Sequence, residues 1–162
     1  MISTPSSNNG DFSKQGRDFG AFNNSKIEKP RFEAQPDQIP PQNLEAEESV
    51  LGGILLDPDA IGRIADLLQA EAFYISAHRE IYRTALMLHS QGKPTDLTAM
   101  SAWLADTNAL EKVGGNNRLV ELVERVTSTA SIEQVAILIS DKFLRRQLIK
   151  SGNDVIKLGF DQ

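Results

Sequence analysis

The stretch from Ser131 to Leu158 constrains the fold more than any other part of this chain, because its apolar residues repeat at helical spacing along two separate lines. Ile132, Ile139 and Phe143 are offset by seven and eleven residues, which at about 100° per residue keeps them within roughly 20° of one line on a helix. Ile137, Leu144, Leu148 and Val155 repeat offsets of seven, eleven and eighteen, and their line runs roughly 140° around the same helix from the first. Ser131 and Gln134 have the spacing of a capping box at its head. A lone helix cannot bury two separated lines against one core. Either it is a central helix enclosed on both sides, or one line packs on a compact head and the other awaits a further helix. We expect the second arrangement, with the further helix lying beyond Gln162 or in another subunit.

The head is expected in residues 40–127. Pro40-Pro41 forbids helix and marks the entry. Asn43 can cap a first helix, Glu45, Glu47 and Glu48 suit the positive end of its dipole, and Leu44, Leu51 and Leu55 stack on one face before it stops at Asp57. Pro58 fits the first turn of a second helix through Ile61, Ile64, Ala65 and Leu68. Ser76 caps a third, longer helix carrying Ile81, Tyr82, Ala85 and Leu88, which Gly92 and Pro94 end. Thr95 or Asp96 starts a fourth through Leu97, Met100, Trp103 and Leu104, and Gly114-Gly115 separates it from a fifth built on Leu119, Leu122 and Val123. Thr127-Ser128-Thr129 punctuates again, so residues 128–162 hold a link and the long helix. Strand-like alternation between hairpin turns is missing, which makes the fold class all-α.

Residues 1–39 are rich in Ser, Asn, Gly, Gln and Pro without periodicity, and read as a disordered tail in which Phe12, Phe19, Phe22 and Phe32 are incidental rather than docking stickers. Cysteine is absent, which excludes disulfides, thiolate nucleophiles and cysteine-based zinc or iron–sulfur sites. The formal net charge is −5, and from Pro41 onward 12 basic residues face 17 acidic ones. Such a surface repels phosphates, so tight independent binding to nucleic acid is not expected. The longest apolar runs, such as Val135 to Ile139, fall far short of the roughly 20 residues that cross a bilayer, and the polar start lacks a signal-peptide core. No membrane contact and a cytoplasmic location are expected.

A search for chemistry finds no assembled site, so no catalytic, cofactor-binding or metal-binding residue is assigned. The one Gly-Lys pair, Gly92-Lys93, has Met87 where a phosphate loop needs glycine and Pro94 where it needs Ser or Thr. Gly52-Gly53 falls inside a helical pattern, where close packing is the simpler explanation, and Gly114-Gly115 turns the chain. His78 and His89 would sit about 16 Å apart along one helix, too far to share a metal, and read as surface or capping residues. Glu121 with Glu124, and Asp57 with Asp59, lack a partnered base or nucleophile and read as solvated charge. The basic group Lys142, Arg145, Arg146 and Lys150 suits salt bridges between subunits better than phosphate contact, given Asp141 and the acidic surroundings.

One string goes further. Pro41-Gln-Asn-Leu-Glu-Ala-Glu-Glu-Ser-Val-Leu-Gly-Gly-Ile-Leu-Leu-Asp57 resembles the opening of the first folded domain of bacterial replicative helicases of the DnaB family. Phe73-Tyr74, His78-Arg-Glu-Ile-Tyr82, Pro94-Thr-Asp-Leu97, Leu104 within its helix and Leu144-Arg-Arg-Gln-Leu-Ile149 extend the likeness to about Leu158. The resemblance implies a helical globular head followed by the first helix of a helical hairpin, with heads and hairpins pairing into dimers and three dimers forming a hexamer collar. It implies a role in hexamer assembly and primase docking during DNA replication, with DNA engaged only through the full-length ring. ATP, magnesium and 5′–3′ unwinding would belong to a motor domain beyond Gln162, and this domain would have no catalytic site. The candidate interface positions are then Ile132, Ile137, Ile139, Phe143, Leu144, Leu148 and Val155, with charged contacts from Lys142, Arg145 and Arg146. The competing readings are a free-standing helical regulatory or helicase-loader-type adaptor and, more remotely, a small enzyme.

Overall fold

The computed structural model describes residues 38–126, 128–129 and 131–160, together with Ser3. The tail reading of residues 1–39, with its four phenylalanines, therefore lies almost wholly outside the described residues. From Gln38 onward the chain forms one compact unit. Its described residues contain helices α1 (Leu44–Leu56), α2 (Ala60–Ile64), α3 (Ser76–Ser90), α4 (Leu97–Asp106), α5 (Gly115–Glu124) and α6 (Ile132–Phe160) and no strand. Single 3-10 turns at Ala70–Ala72 and Glu111–Val113 complete the regular structure.

Local chemistry sets most of these boundaries. The Asn43 side chain accepts the Ala46 N–H at 3.0 Å and Asp96 accepts that of Ala99 at 2.8 Å, so α1 and α4 start on the residues suited to cap them. Thr95, the other candidate for the start of α4, is buried and donates to the Ile54 carbonyl at 3.3 Å. Gly92 turns the chain after α3 at φ 67° and Gly114 turns it before α5 at φ 100°, conformations that favour glycine. Helix α2 is shorter than the spacing of Ala65 and Leu68 predicts. The chain tightens after Ile64, whose carbonyl takes the N–H groups of both Leu67 and Leu68. The carbonyls of Leu67 and Leu68 are then claimed by the Ser140 and Tyr82 hydroxyls, at 2.9 and 2.8 Å. Tertiary partners thus replace the ladder that a longer helix would have used, while Leu68 still reaches the core.

Helix α1 is the centre of the head. Val50, Leu51, Ile54 and Leu55 are buried, and the helix lies chiefly against α5 and α6. Burying one such side chain contributes about 1.5–3 kcal/mol. Phe73 and Tyr82 fill the space beside α3 with ring centroids 4.9 Å apart. The Gly52-Gly53 pair lets α1 approach α5 and α6 closely. A Cβ on Gly52 would lie 2.0 Å from the Leu122 carbonyl oxygen of α5, and one on Gly53 would lie 3.1 Å from Ile132 of α6. A Gly52→Ala substitution should therefore force α1 and α5 apart and destabilise the domain by about 1–3 kcal/mol or more. Urea unfolding followed by circular dichroism measures this, with Gly152→Ala, which lies in α6 and meets nothing within 4 Å, as the comparison that should not destabilise.

Candidate functional site

Helix α6 resolves its two apolar lines in opposite ways. Ile132, Ala136 and Ile139 are buried in the head and Phe143 packs partly against the same core. Ile132 and Ile139 are thus core residues of their own chain and not available to a partner, a correction to their grouping as interface positions. The other line stays open: Ile137 is 56% exposed, Leu144 58%, Leu148 65% and Val155 68%. The head reaches only as far as Phe143 and Arg146, and every residue from Gln147 to Phe160 is exposed. Ile149, Ile156, Leu158 and Phe160 widen the apolar surface of this projecting arm. These four were not singled out from sequence, although Ile149 and Ile156 repeat the same seven-residue step as Leu148 and Val155.

The basic group on α6 divides as well. Arg145 holds Asp141 at 2.8 Å along its own helix and remains exposed. Lys142, half-buried, and Lys150, exposed, flank it. Arg146 behaves differently from the expected inter-subunit contact. Its guanidinium donates to the Pro41 carbonyl at 2.7 Å and to the Ala72 carbonyl, and lies over the rings of Tyr74 and Phe143 at 5.6 and 5.7 Å. Burial lowers its pKa, with the Glu47 carboxylate acting in the opposite direction. The charge is spent inside the chain, where it joins α6 to the entry segment and to the turn before α3.

Glu47 explains that turn. From its place in α1 it was expected only to favour the helix dipole, yet it is 1% exposed. One carboxylate oxygen accepts the Tyr74 N–H at 2.6 Å, and the other accepts the Ile75 N–H at 3.4 Å and faces His78 Nδ1 at 2.8 Å. The start of α3, where no side-chain cap hydrogen bond is made by Ile75, is satisfied by a carboxylate from another helix. His78 is accordingly buried, not a surface residue. Its Nε2 lies 3.2 Å from Arg118 Nη2. Because a guanidinium only donates, Nε2 must accept and the ring proton resides on Nδ1, aimed at Glu47. Glu48 completes the array by pairing with Arg118 at 2.6 Å and with Arg125. Burial alone would raise its pKa, but hydrogen bonds from the two arginines hold it below the ordinary carboxylate value.

The remaining sequence candidates fall into structural roles. Glu121 pairs with Arg118 at 3.2 Å, Asp57 lies 3.7 Å from Arg63 and accepts the Asp59 N–H at 3.1 Å, and His89 is exposed. Among the described residues no group of three or more His, Cys, Asp or Glu could hold a metal ion, and no helix is long and apolar enough to cross a membrane.

These features define an all-helical domain whose last helix outruns its own core. Residues 39–141 match the family model described as the DnaB-like helicase N terminal domain, and the chain belongs to that family. The replicative DNA helicase DnaB of Nostoc sp. is 56% identical over 124 residues, which cover 76% of this chain and 14% of that protein. The replicative DNA helicase DnaC of Bacillus subtilis is 37% identical over 124 residues, 76% of this chain and 27% of that protein. The crystal structure of the N-terminal domain of DnaB helicase from Mycobacterium tuberculosis has a TM-score of 0.74 at 35% identity, covering 76% of this chain and 90% of that one. A DnaB-like replicative helicase, solved together with its interactions with primase, has a TM-score of 0.64 at 32% identity, covering 71% of this chain and 27% of that one. The chain therefore spans a minor part of the curated helicases and nearly all of the solved N-terminal domain.

Two outcomes test the polar array. Glu47→Ala strips a buried histidine and two backbone N–H groups of their acceptor and should cost about 3 kcal/mol or more in denaturant unfolding. Glu48, whose folded pKa is depressed, contributes stability that is present above the ordinary glutamate pKa of its unfolded state and lost as pH falls through the lower folded value. The melting-temperature difference between wild type and Glu48→Gln should therefore shrink as the buffer is taken from pH 6 to about pH 3.

Proposed function

We propose that this domain is the assembly and docking module of a ring-forming replicative helicase. The observation that carries the reading is the open apolar line Ile137, Leu144, Leu148 and Val155 on a helix whose other line is already packed. Water-exposed aliphatic side chains in register along about five turns are a seam for another helix. A helix laid on them would remove that surface from water, gaining about 25 cal/mol per Å². In this reading the seam first receives the second helix of a helical hairpin, and hairpins and heads then pair two subunits, three such pairs closing the hexamer collar. Homo-oligomers built from such pairs place the same surface on both partners.

The collar in turn serves as the docking ring for primase, a role supported by the likeness to a helicase whose structure was described with its primase interactions. Strand separation, with ATP and magnesium, belongs to the motor of the full-length protein, and DNA is held through the assembled ring. The formal net charge of −5 agrees with a domain that does not grip nucleic acid by itself.

Changing Ile137, Leu144 and Leu148 together to Asp in the full-length helicase should convert hexamers into smaller species in analytical ultracentrifugation. The exposed positions leave the head's fold, monitored by circular dichroism, intact. Persistent hexamers would remove the assembly role. Titrating the fluorescently labelled carboxy-terminal helical region of primase onto the wild-type ring should give saturable anisotropy, and a flat titration would remove the docking role.

A further inference from the structure

We propose that Arg146 is a latch that sets the direction in which the arm of α6 leaves the head. Four observations converge on this one side chain. It is the last residue of α6 that is not exposed, since all positions from Gln147 to Phe160 are. Its two terminal nitrogens bind carbonyls from two separate stretches of chain, Pro41 in the entry segment and Ala72 in the turn before α3. The guanidinium plane lies over one ring from the head, Tyr74, and one from α6 itself, Phe143. The Ala72–Tyr74 turn that it grips is in turn held to α1 by Glu47.

The geometry makes this contact a lever. The apolar line inside the head ends at Phe143, so the hydrophobic contacts of Ile132, Ala136 and Ile139 hold the near end of the helix but do not reach the arm. From Arg146 to Phe160 the helix extends about 21 Å, so a tilt of roughly 10° at the latch carries the tip about 4 Å sideways. Such a displacement is close to half the spacing between packed helices. The latch therefore decides where Leu148, Val155 and the rest of the seam are presented. The planar guanidinium reaches the two carbonyls with separate nitrogens while its face lies over the rings, a combination the compact lysine ammonium does not reproduce. Arg145, one residue earlier, is exposed and pairs with Asp141 on its own helix, so it does not tie α6 to the head in this way.

This deepens the assembly reading, because it is the seam's direction that is set, but the test needs no partner and can fail while that reading stands. The chain has no cysteine, so Gln91→Cys in the head and Asn153→Cys on the arm, both exposed, give a unique spin-label pair in the full chain. Double electron–electron resonance, with excess unlabelled chain to remove intermolecular distances, reads the angle between arm and head. The wild type and Arg145→Met should give one narrow distribution. Arg146→Met and Arg146→Lys should each broaden it about twofold, while circular dichroism reports an unchanged helix content. If the methionine variant does not fold, the lysine variant, which keeps stem and charge, provides the reading. Distributions as narrow as the wild type in the folded Arg146 variants would overturn the latch.

Discussion

A carboxylate in the middle of the head ties several separate elements of this domain together. Glu47 sits on α1 with water excluded and takes N–H groups of Tyr74 and Ile75 and the imidazole of His78. A buried charge is tolerable only when such partners surround it. The consequence is a fixed turn between Ala72 and Ile75, from which three further connections run. The Phe73 carbonyl accepts from Arg79, the Ala72 carbonyl accepts from Arg146, and the Phe73 ring packs on Tyr82. Helices α1, α3 and α6 are thus joined through one acidic side chain. Its neighbour Glu48 does the same toward α5 by way of Arg118 and Arg125.

That arrangement accounts for how a domain of modest size can carry a long free helix. The first turns of α6 are part of the core, where Ile132 meets Gly53 and Ala136 and Ile139 are buried. The arm has no such support. Helices of about 12–15 residues are marginal in water by themselves, and an arm with this much apolar surface is stabilised when another helix covers it. In the assembly reading the head is a rigid base and the arm is the docking element, so rigidity near Arg146 matters as much as the apolar surface beyond it.

Several of the stretches that resemble the replicative-helicase family meet in space. Glu47 lies in the first string, Phe73-Tyr74 forms the turn, His78 and Arg79 begin α3, and Arg146 lies in the last string. They come from four parts of the chain and meet in one polar array. Family likeness here marks the joints between helices rather than a reacting centre.

The linear order of residues was enough to read an all-helical fold, the cap Asn43, the start of α4 to within Thr95 or Asp96, the turns at Gly92 and Gly114, the packing purpose of Gly52-Gly53 and the two lines on α6, because each follows from a local period or a local backbone requirement. Tertiary structure alone decided which line the head would cover, that Glu47 and His78 would be buried together, that α2 would stop at Ile64 and that Arg146 would turn inward. Those outcomes depend on partners 31 residues away for His78 and 105 residues away for Arg146. Periodicity shows that a side chain faces a given direction on its helix. What stands there to meet it, a carbonyl, a carboxylate or water, is set only when the helices pack.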